Sequence, residues 1–239
     1  MGELLAVLEA TRQEAVVVFL SDHGEMLGER GLWFKMNFFE GSARVPLTIA
    51  APGLAPGRVD RPVSTLDLVP TLAELAGIDL AEVAPRTDGE SLVALAQGTG
   101  GRGPVAMEYA AEASVAPMVA LVDGDWKYVR CPADPEQLFD LGADPAERRN
   151  RAGDPAAAAT LARLRAMADA RWDLAAYDAA YDAEVRDSQA RRHAVWPALR
   201  RGTYFPWDFE PLQRASERYM RNHMDLNVLE EAQRFPRGE

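Results

Sequence analysis

Lysine is nearly absent from this chain. It occurs only at Lys35 and Lys127, and arginine supplies every other strong base. Such a bias often follows nucleotide composition, but a lysine retained where arginine is habitual is informative. Cysteine is scarcer still: Cys131 stands alone, so no internal disulfide can form and a cytoplasmic location is the default expectation. A lone thiol of this kind is expected to be buried and inert. No apolar run approaches the roughly 20 residues needed to cross a bilayer. The opening MGELLAVLEATRQEA has no basic leader before its apolar part, so it does not read as a signal peptide. Positive charge is also short. A net charge of −11 argues against a nucleic-acid partner and against a polybasic membrane anchor. The remainder, 48% apolar and 26% charged residues over 239 positions, is the composition of a globular chain. It suffices for one domain with a core, or one domain plus a smaller one.

Leu4, Leu5, Val7, Leu8 and Thr11 fit one face of a short helix. Ala15–Leu20 reads as a strand that is apolar on both faces, as at the centre of a parallel sheet covered by helices. Val45–Ala51 is a second buried strand, ended by Pro52-Gly53. Ser64-Thr65-Leu66-Asp67 leads into a helix bearing Leu68, Leu72, Leu75 and Ala76, with Gly77 as its C-cap. Ala84–Pro104 is rich in glycine, proline and polar residues and reads as a long surface loop. The pattern then turns antiparallel. Val105–Tyr109, Met118–Val122 and Trp126–Arg130 are short strands, and Asp123-Gly124-Asp125 joins the last two as a hairpin. Asp-Pro recurs at 134, 144 and 154 as turn or helix-start chemistry, and Asp154 with Pro155 opens a helix lined by Leu161, Leu164, Ala168 and Trp172. Residues 177–239 are rich in arginine and aromatics and irregular.

Chemistry concentrates at the end of the first strand, in "VVVFLSDHGEMLGERGLWFKM". Asp22 and His23 sit at the carboxyl end of a presumed central strand, where ligands collect in open α/β sheets. Adjacent in a turn, a hard oxygen and an imidazole nitrogen can face one divalent cation. Gly24 lets the backbone pass close to whatever is bound. The competing reading makes Asp22 a helix cap, with Glu25 three residues on completing a capping box. Local physics leaves the two readings level. Lys35, set in "GLWFKMNFF", would act strongly on a sulfate or phosphate oxygen if the aromatics desolvate it. The alternative is a snorkelling lysine with its head in water. Arg44, Glu25 and Glu29 read as structural ion-pair partners.

The stretch "SDHGEMLGERGLWFKMNFFEGSARVPLTIAAPG" resembles the sulfatases of the alkaline-phosphatase superfamily. "STLDLVPTLAELAGI" resembles the helix that comes next in that family, and "EQLFDLGADPAERRN" its C-terminal subdomain signature. The run Gly28–Pro46 and the terminal "YMRNHMDLNVLEEAQRFPR" resemble the choline-sulfatase branch. The resemblance implies an α/β fold: the C-terminal part of an alkaline-phosphatase-like mixed or parallel sheet with flanking helices (1–104), a small antiparallel α+β subdomain (105–176) and an extended C-terminal tail (177–239). It implies hydrolysis of a small sulfate ester, choline sulfate, with Asp22 and His23 at a divalent cation, calcium or manganese. Lys35 would bind sulfate, and Lys35 and His23 would be the catalytic residues of this stretch. Glu112 and Asp225 would face the quaternary ammonium, which carboxylates and aromatic faces must hold because it has no N–H to donate. Tyr204, Trp207 and Phe209 are candidate faces, with packing the plainer role for each. The tail would join subunits into a homo-oligomer.

One departure is large. Family members carry Cys-x-Pro-x-Arg or Ser-x-Pro-x-Arg, whose first residue becomes formylglycine, and neither motif occurs in this sequence. The paired aspartates that complete the cation site are missing too. Cys131 is followed by Pro132-Ala133-Asp134, the wrong context. The chain is therefore expected to correspond to the C-terminal half of the enzyme and to have no turnover alone. Two rivals remain: a phosphatase or phosphonate monoester hydrolase of the same superfamily, and a non-catalytic oligomerisation remnant.

Overall fold

The computed structural model describes residues 2–11, 14–111, 114, 116–185 and 187. The chain divides into two units, Met1–Tyr181 and Asp182–Glu239.

Helix α1 (Gly2–Thr11) opens the first unit and leads into strand β1 (Val17–Leu20). The chain then leaves the sheet for a hairpin of β2 (Met26–Leu27) and β3 (Trp33–Phe34) and the single turn of α2 (Glu40–Ala43). It returns as β4 (Leu47–Ala50), which pairs antiparallel with β1 in the register Val17↔Ala50 to Leu20↔Leu47. Both strands fall where the apolar runs placed them, but they pair antiparallel and β4 is not the buried strand expected, since half-buried and exposed residues alternate along it. Among the described residues β1 has β4 as its sole neighbour, and Phe19 remains 46% exposed. The strand's two-sided apolar character is thus only partly used, and α1 likewise buries none of its residues.

Helix α3 (Leu68–Ala76) starts and stops as its sequence dictates. Ser64 and Asp67 form a reciprocal capping box, and Gly77 closes the helix at φ 68°. Asp67 does more than cap. It is wholly buried, its Oδ1 accepts from Glu90 N at 2.9 Å, and Arg102 grips both its oxygens, Nε–Oδ2 at 2.5 Å and Nη2–Oδ1 at 2.8 Å. Thr71 Oγ1 donates to Asp67 O and accepts from Leu92 N at 2.9 Å. Residues 84–104 are consequently not the surface loop that their composition suggests. They come after the short helix α4 (Leu80–Val83), contain α5 (Val93–Ala96), and bury Leu92, Val93 and Arg102. The polar residues of this stretch satisfy one another across a closed turn, which composition alone cannot register. Gly89 is required by that closure, because a Cβ there would lie 2.1 Å from Leu66 O.

The remainder is a four-stranded antiparallel meander, β5 (Val105–Tyr109), β6 (Met118–Asp123), β7 (Trp126–Cys131) and β8 (Asp134–Asp140), in sequential order. Gly124, at φ 58°, turns the β6–β7 hairpin. Strand β8 is one more than the apolar pattern predicts, because its opening Asp134-Pro135 reads as a turn. Proline is tolerated there because β8 is an edge strand and Pro135 stands near its start. Asp154 caps the next helical start by accepting from Ala156 N at 2.9 Å, with Pro155 in the first turn. Helix α6 (Ala158–Arg171) then lays Leu161, Leu164 and Ala168 on Leu121, Tyr128 and Leu138 of the sheet, forming the main core. No helix among the described residues is long and apolar enough to cross a membrane.

Candidate functional site

The excursion between β1 and β4 carries the candidate residues. Two close backbone contacts fold it on itself: Gly24 N donates to Ser42 O at 2.7 Å, and Glu25 N to Gly41 O at 2.8 Å. Such an approach needs Gly24, since a Cβ at that position would sit 2.1 Å from Gly41 O. Met26, Phe38 and Ser42 anchor the excursion in the interior. Ser42 Oγ donates to the carbonyl of Lys35 at 2.5 Å, so one buried hydroxyl fixes the backbone that presents the lysine.

Asp22, His23 and Lys35 converge. Lys35 Nζ lies 2.8 Å from His23 Nε2, and His23 Nδ1 lies 2.7 Å from Gly24 O. The carbonyl can only accept, so Nδ1 carries the ring proton and Nε2 offers its lone pair to the ammonium. Asp22 Oδ1 accepts from His23 N at 3.0 Å, while Oδ2 lies 3.4 Å from His23 Nε2. That backbone N–H, more than any nearby charge, holds the Asp22 carboxyl below its ordinary range. No helix begins at Asp22; the backbone runs on to β2, so the capping-box reading does not hold. Lys35 is exposed, and Trp33 and Phe34 beside it are each 61% exposed. The aromatics therefore do not desolvate it, and its partner is His23. Glu29 accepts from Leu27 N at 2.7 Å, whereas Arg44 pairs with Glu40 at 3.7 Å.

A divalent cation is compatible with this donor set but not completed by it. An oxygen and a nitrogen 3.4 Å apart have the spacing of two neighbouring ligands on one cation with bonds of about 2.4 Å. Asp22 and His23 supply two donors where a hard cation takes about six or more. Among the described residues no group of three or more His, Cys, Asp or Glu side chains gathers to hold a metal. Glu112 and Asp225, like Tyr204, Trp207 and Phe209, lie outside the described residues. Cys131 is buried, as expected of an inert thiol.

The other lysine does structural work that its sequence does not advertise. Lys127 on β7 is 1% exposed, and its ammonium donates to Phe38 O at 2.8 Å, Glu40 Oε1 at 2.5 Å and Glu147 Oε1 at 2.9 Å. Glu147, at φ 54°, turns its second oxygen to Glu40 N at 2.7 Å. The antiparallel sheet is thereby bolted to the excursion. Arg30 adds to the joint by stacking over Phe39 at 4.2 Å and Phe139 at 5.7 Å. The run "FDLGADPAERRN" is a structural clasp throughout: Asp144 accepts from Arg149 N at 2.8 Å, and Asn150 both accepts from Leu138 N at 2.9 Å and donates to Glu136 O at 3.0 Å. The partners of Lys127 lie 89, 87 and 20 positions away, beyond any local signal.

Two stretches of the chain resemble known families. Residues 1–78 match the Sulfatase family model, and residues 183–235 match the model described as Choline sulfatase enzyme C terminal. The whole chain is 61% identical to a choline-sulfatase of Rhizobium meliloti (strain 1021) and spans 47% of that protein, its C-terminal half. Two solved structures share the fold. A 2-O GAG sulfatase is 30% identical with a TM-score of 0.60, covering 71% of this chain and 40% of its own. A phosphonate monoester hydrolase of Agrobacterium radiobacter is 29% identical with a TM-score of 0.58, covering 70% and 38%. The α/β class with a small antiparallel sheet agrees with these neighbours. Over its whole length the chain is thus similar to the C-terminal half of a choline-sulfatase, and more widely to sulfatases of the alkaline-phosphatase superfamily.

Proposed function

We propose that this chain carries the cation- and sulfate-binding part of a sulfuric ester hydrolase that converts choline sulfate to choline and sulfate. The observation that carries this reading is the convergence of Asp22, His23 and Lys35 at the end of β1. In it, Asp22 and His23 would supply two of the ligands of a divalent cation, calcium or manganese, which when bound would provide positive charge for the sulfate oxygens. Lys35 contributes a second positive charge to the same oxygens, which matters most as charge builds on the ester during S–O cleavage. Glu112 and Asp225 face the trimethylammonium group. The attacking group, formylglycine, has no precursor motif in this sequence. The chain divides functionally into 1–104 for the catalytic domain, 105–176 for the subdomain and 177–239 for a tail that joins subunits. The single cysteine and acidic balance favour a cytoplasmic setting without nucleic acid or membrane partners.

The test is direct. Purified chain with choline sulfate and calcium or manganese should release no sulfate, yet should bind inorganic sulfate in a manner lost in Lys35→Ala. Release at enzyme-like rates would mean that the nucleophile lies within these residues. The likeness to a phosphonate monoester hydrolase supports a second reading, in which the leaving ester is a phosphonate or phosphate. Comparing inorganic sulfate with phosphate as ligands of the same site separates the two.

A further inference from the structure

We infer that Lys127 is a positioning residue for the Asp22–His23–Lys35 cluster, acting through Glu40, Glu147 and Ser42. The inference rests on the proposed sulfate-binding role of Lys35 for its functional meaning, but its geometry stands apart from that role. Lys127 is nearly sealed from water, and each of its three ammonium protons has an acceptor: Phe38 O, Glu40 Oε1 and Glu147 Oε1. Two of those acceptors, Phe38 and Glu40, bracket the entry into α2. Glu147 closes the circuit by accepting from Glu40 N at 2.7 Å. The same short turn then offers Gly41 O and Ser42 O to the amides of Glu25 and Gly24 at 2.8 and 2.7 Å. Its Ser42 hydroxyl holds Lys35 O at 2.5 Å. Every link is a hydrogen bond or ion pair between named atoms, so the sheet sets both sides of the His23–Lys35 contact at once.

Stability alone does not call for this arrangement. A buried ion pair is weak evidence of stabilisation, because desolvating both charges offsets much of their attraction. Glu147 is moreover held at a positive φ, which a non-glycine residue adopts at some strain. A pair of apolar side chains would fill the same space without either penalty. Directional bonds from the ammonium fix the turn at 38–42 in a way that apolar packing would not, and that turn bonds both to the backbone beside His23 and to Lys35.

The chain has only two lysines, so lysine-selective isotope labelling yields one resonance set for Lys35 and one for Lys127. With the full chain so labelled, the nuclear Overhauser contact between the Lys35 ε-protons and the His23 ring reports the cluster directly. In Lys127→Met that contact should be lost, and in Ser42→Ala it should weaken at least twofold. It should persist in Leu164→Ala, which opens a cavity on the far side of the sheet without touching the chain of bonds. Retention of the contact in folded Lys127→Met, or equal loss in Leu164→Ala, would overturn the inference. If Lys127→Met does not fold, Ser42→Ala decides: an unchanged contact there refutes the relay. Failure of the wild-type chain to bind sulfate would count against the proposed function and leave this outcome intact.

Discussion

Lys35 Nζ and His23 Nε2 stand 2.8 Å apart, an ammonium donating to the imidazole nitrogen that would otherwise be free for a cation. Removing that ammonium should therefore help cation binding in the absence of sulfate. Lys35→Met is expected to bind Mn2+ about thirtyfold more tightly than the unaltered chain, the equivalent of ~2 kcal/mol for a unit charge and a divalent cation about 4 Å apart in water. Isothermal titration of both proteins checks it, and equal or weaker affinity in the variant would show that the lysine does not compete.

The two lysines should also differ in plain chemistry. Lys35 is exposed and Lys127 is 1% exposed within an ion-pair pocket. Brief treatment with an amine-acylating reagent, read by peptide mass spectrometry, should modify Lys35 and leave Lys127 intact until the chain is unfolded in guanidinium. Equal modification of both under native conditions would contradict the clasp.

Breaking that clasp from one side should be worse than dismantling it. Lys127→Met leaves Glu147, itself 2% exposed, as a buried charge without its counterion and should cost about 3–5 kcal/mol. Adding Glu147→Gln removes the stranded charge while keeping an oxygen for Glu40 N, so the double variant should recover part of the loss. Urea unfolding midpoints of the two proteins decide the order.

The Asp67–Arg102 pair predicts a pH dependence. Burial pushes the Asp67 carboxyl upward, but the two-pronged Arg102 bond and the Glu90 and Ser64 amides outweigh it and leave the group below its ordinary value. A folded-state pKa below the unfolded one means stability that is present above about pH 4 and lost as pH falls through the folded value. Asp67→Asn should lower the melting temperature at pH 7, and the deficit should shrink below about pH 4. A deficit that stays constant with pH would show that the charge is not what Arg102 holds.

How far these features could be read in advance depends on their range along the chain. The Asp154-Pro155 helix start, the Gly77 closure and the Gly124 hairpin are local, and each residue type states its backbone requirement. The β1 and β4 strands show as apolar runs. By contrast, Arg102 reaches Asp67 across 35 positions from within a glycine- and proline-rich stretch, so it looks like loop. Strand β8 hides behind Asp134-Pro135, because an edge position forgives a proline that a central one would not. Asp22 and His23 are visible as a polar break after an apolar run, but ruling out a helix cap needs the fold: the chain makes a hairpin there and not a helix. Lys35 joins them only because Gly24 and Gly41 let the backbone double back.

If these residues form the sulfate-ester half of a choline sulfatase site, supplying the other half should restore turnover. The sharpest test is a chimera joining the N-terminal half of the Rhizobium meliloti choline-sulfatase to this chain, assayed for sulfate release from choline sulfate. The expected result is sulfate release, slower turnover of phosphocholine, and at least a hundredfold loss in Lys35→Ala. A folded chimera that releases no sulfate, or one indifferent to Lys35, would overturn the assignment.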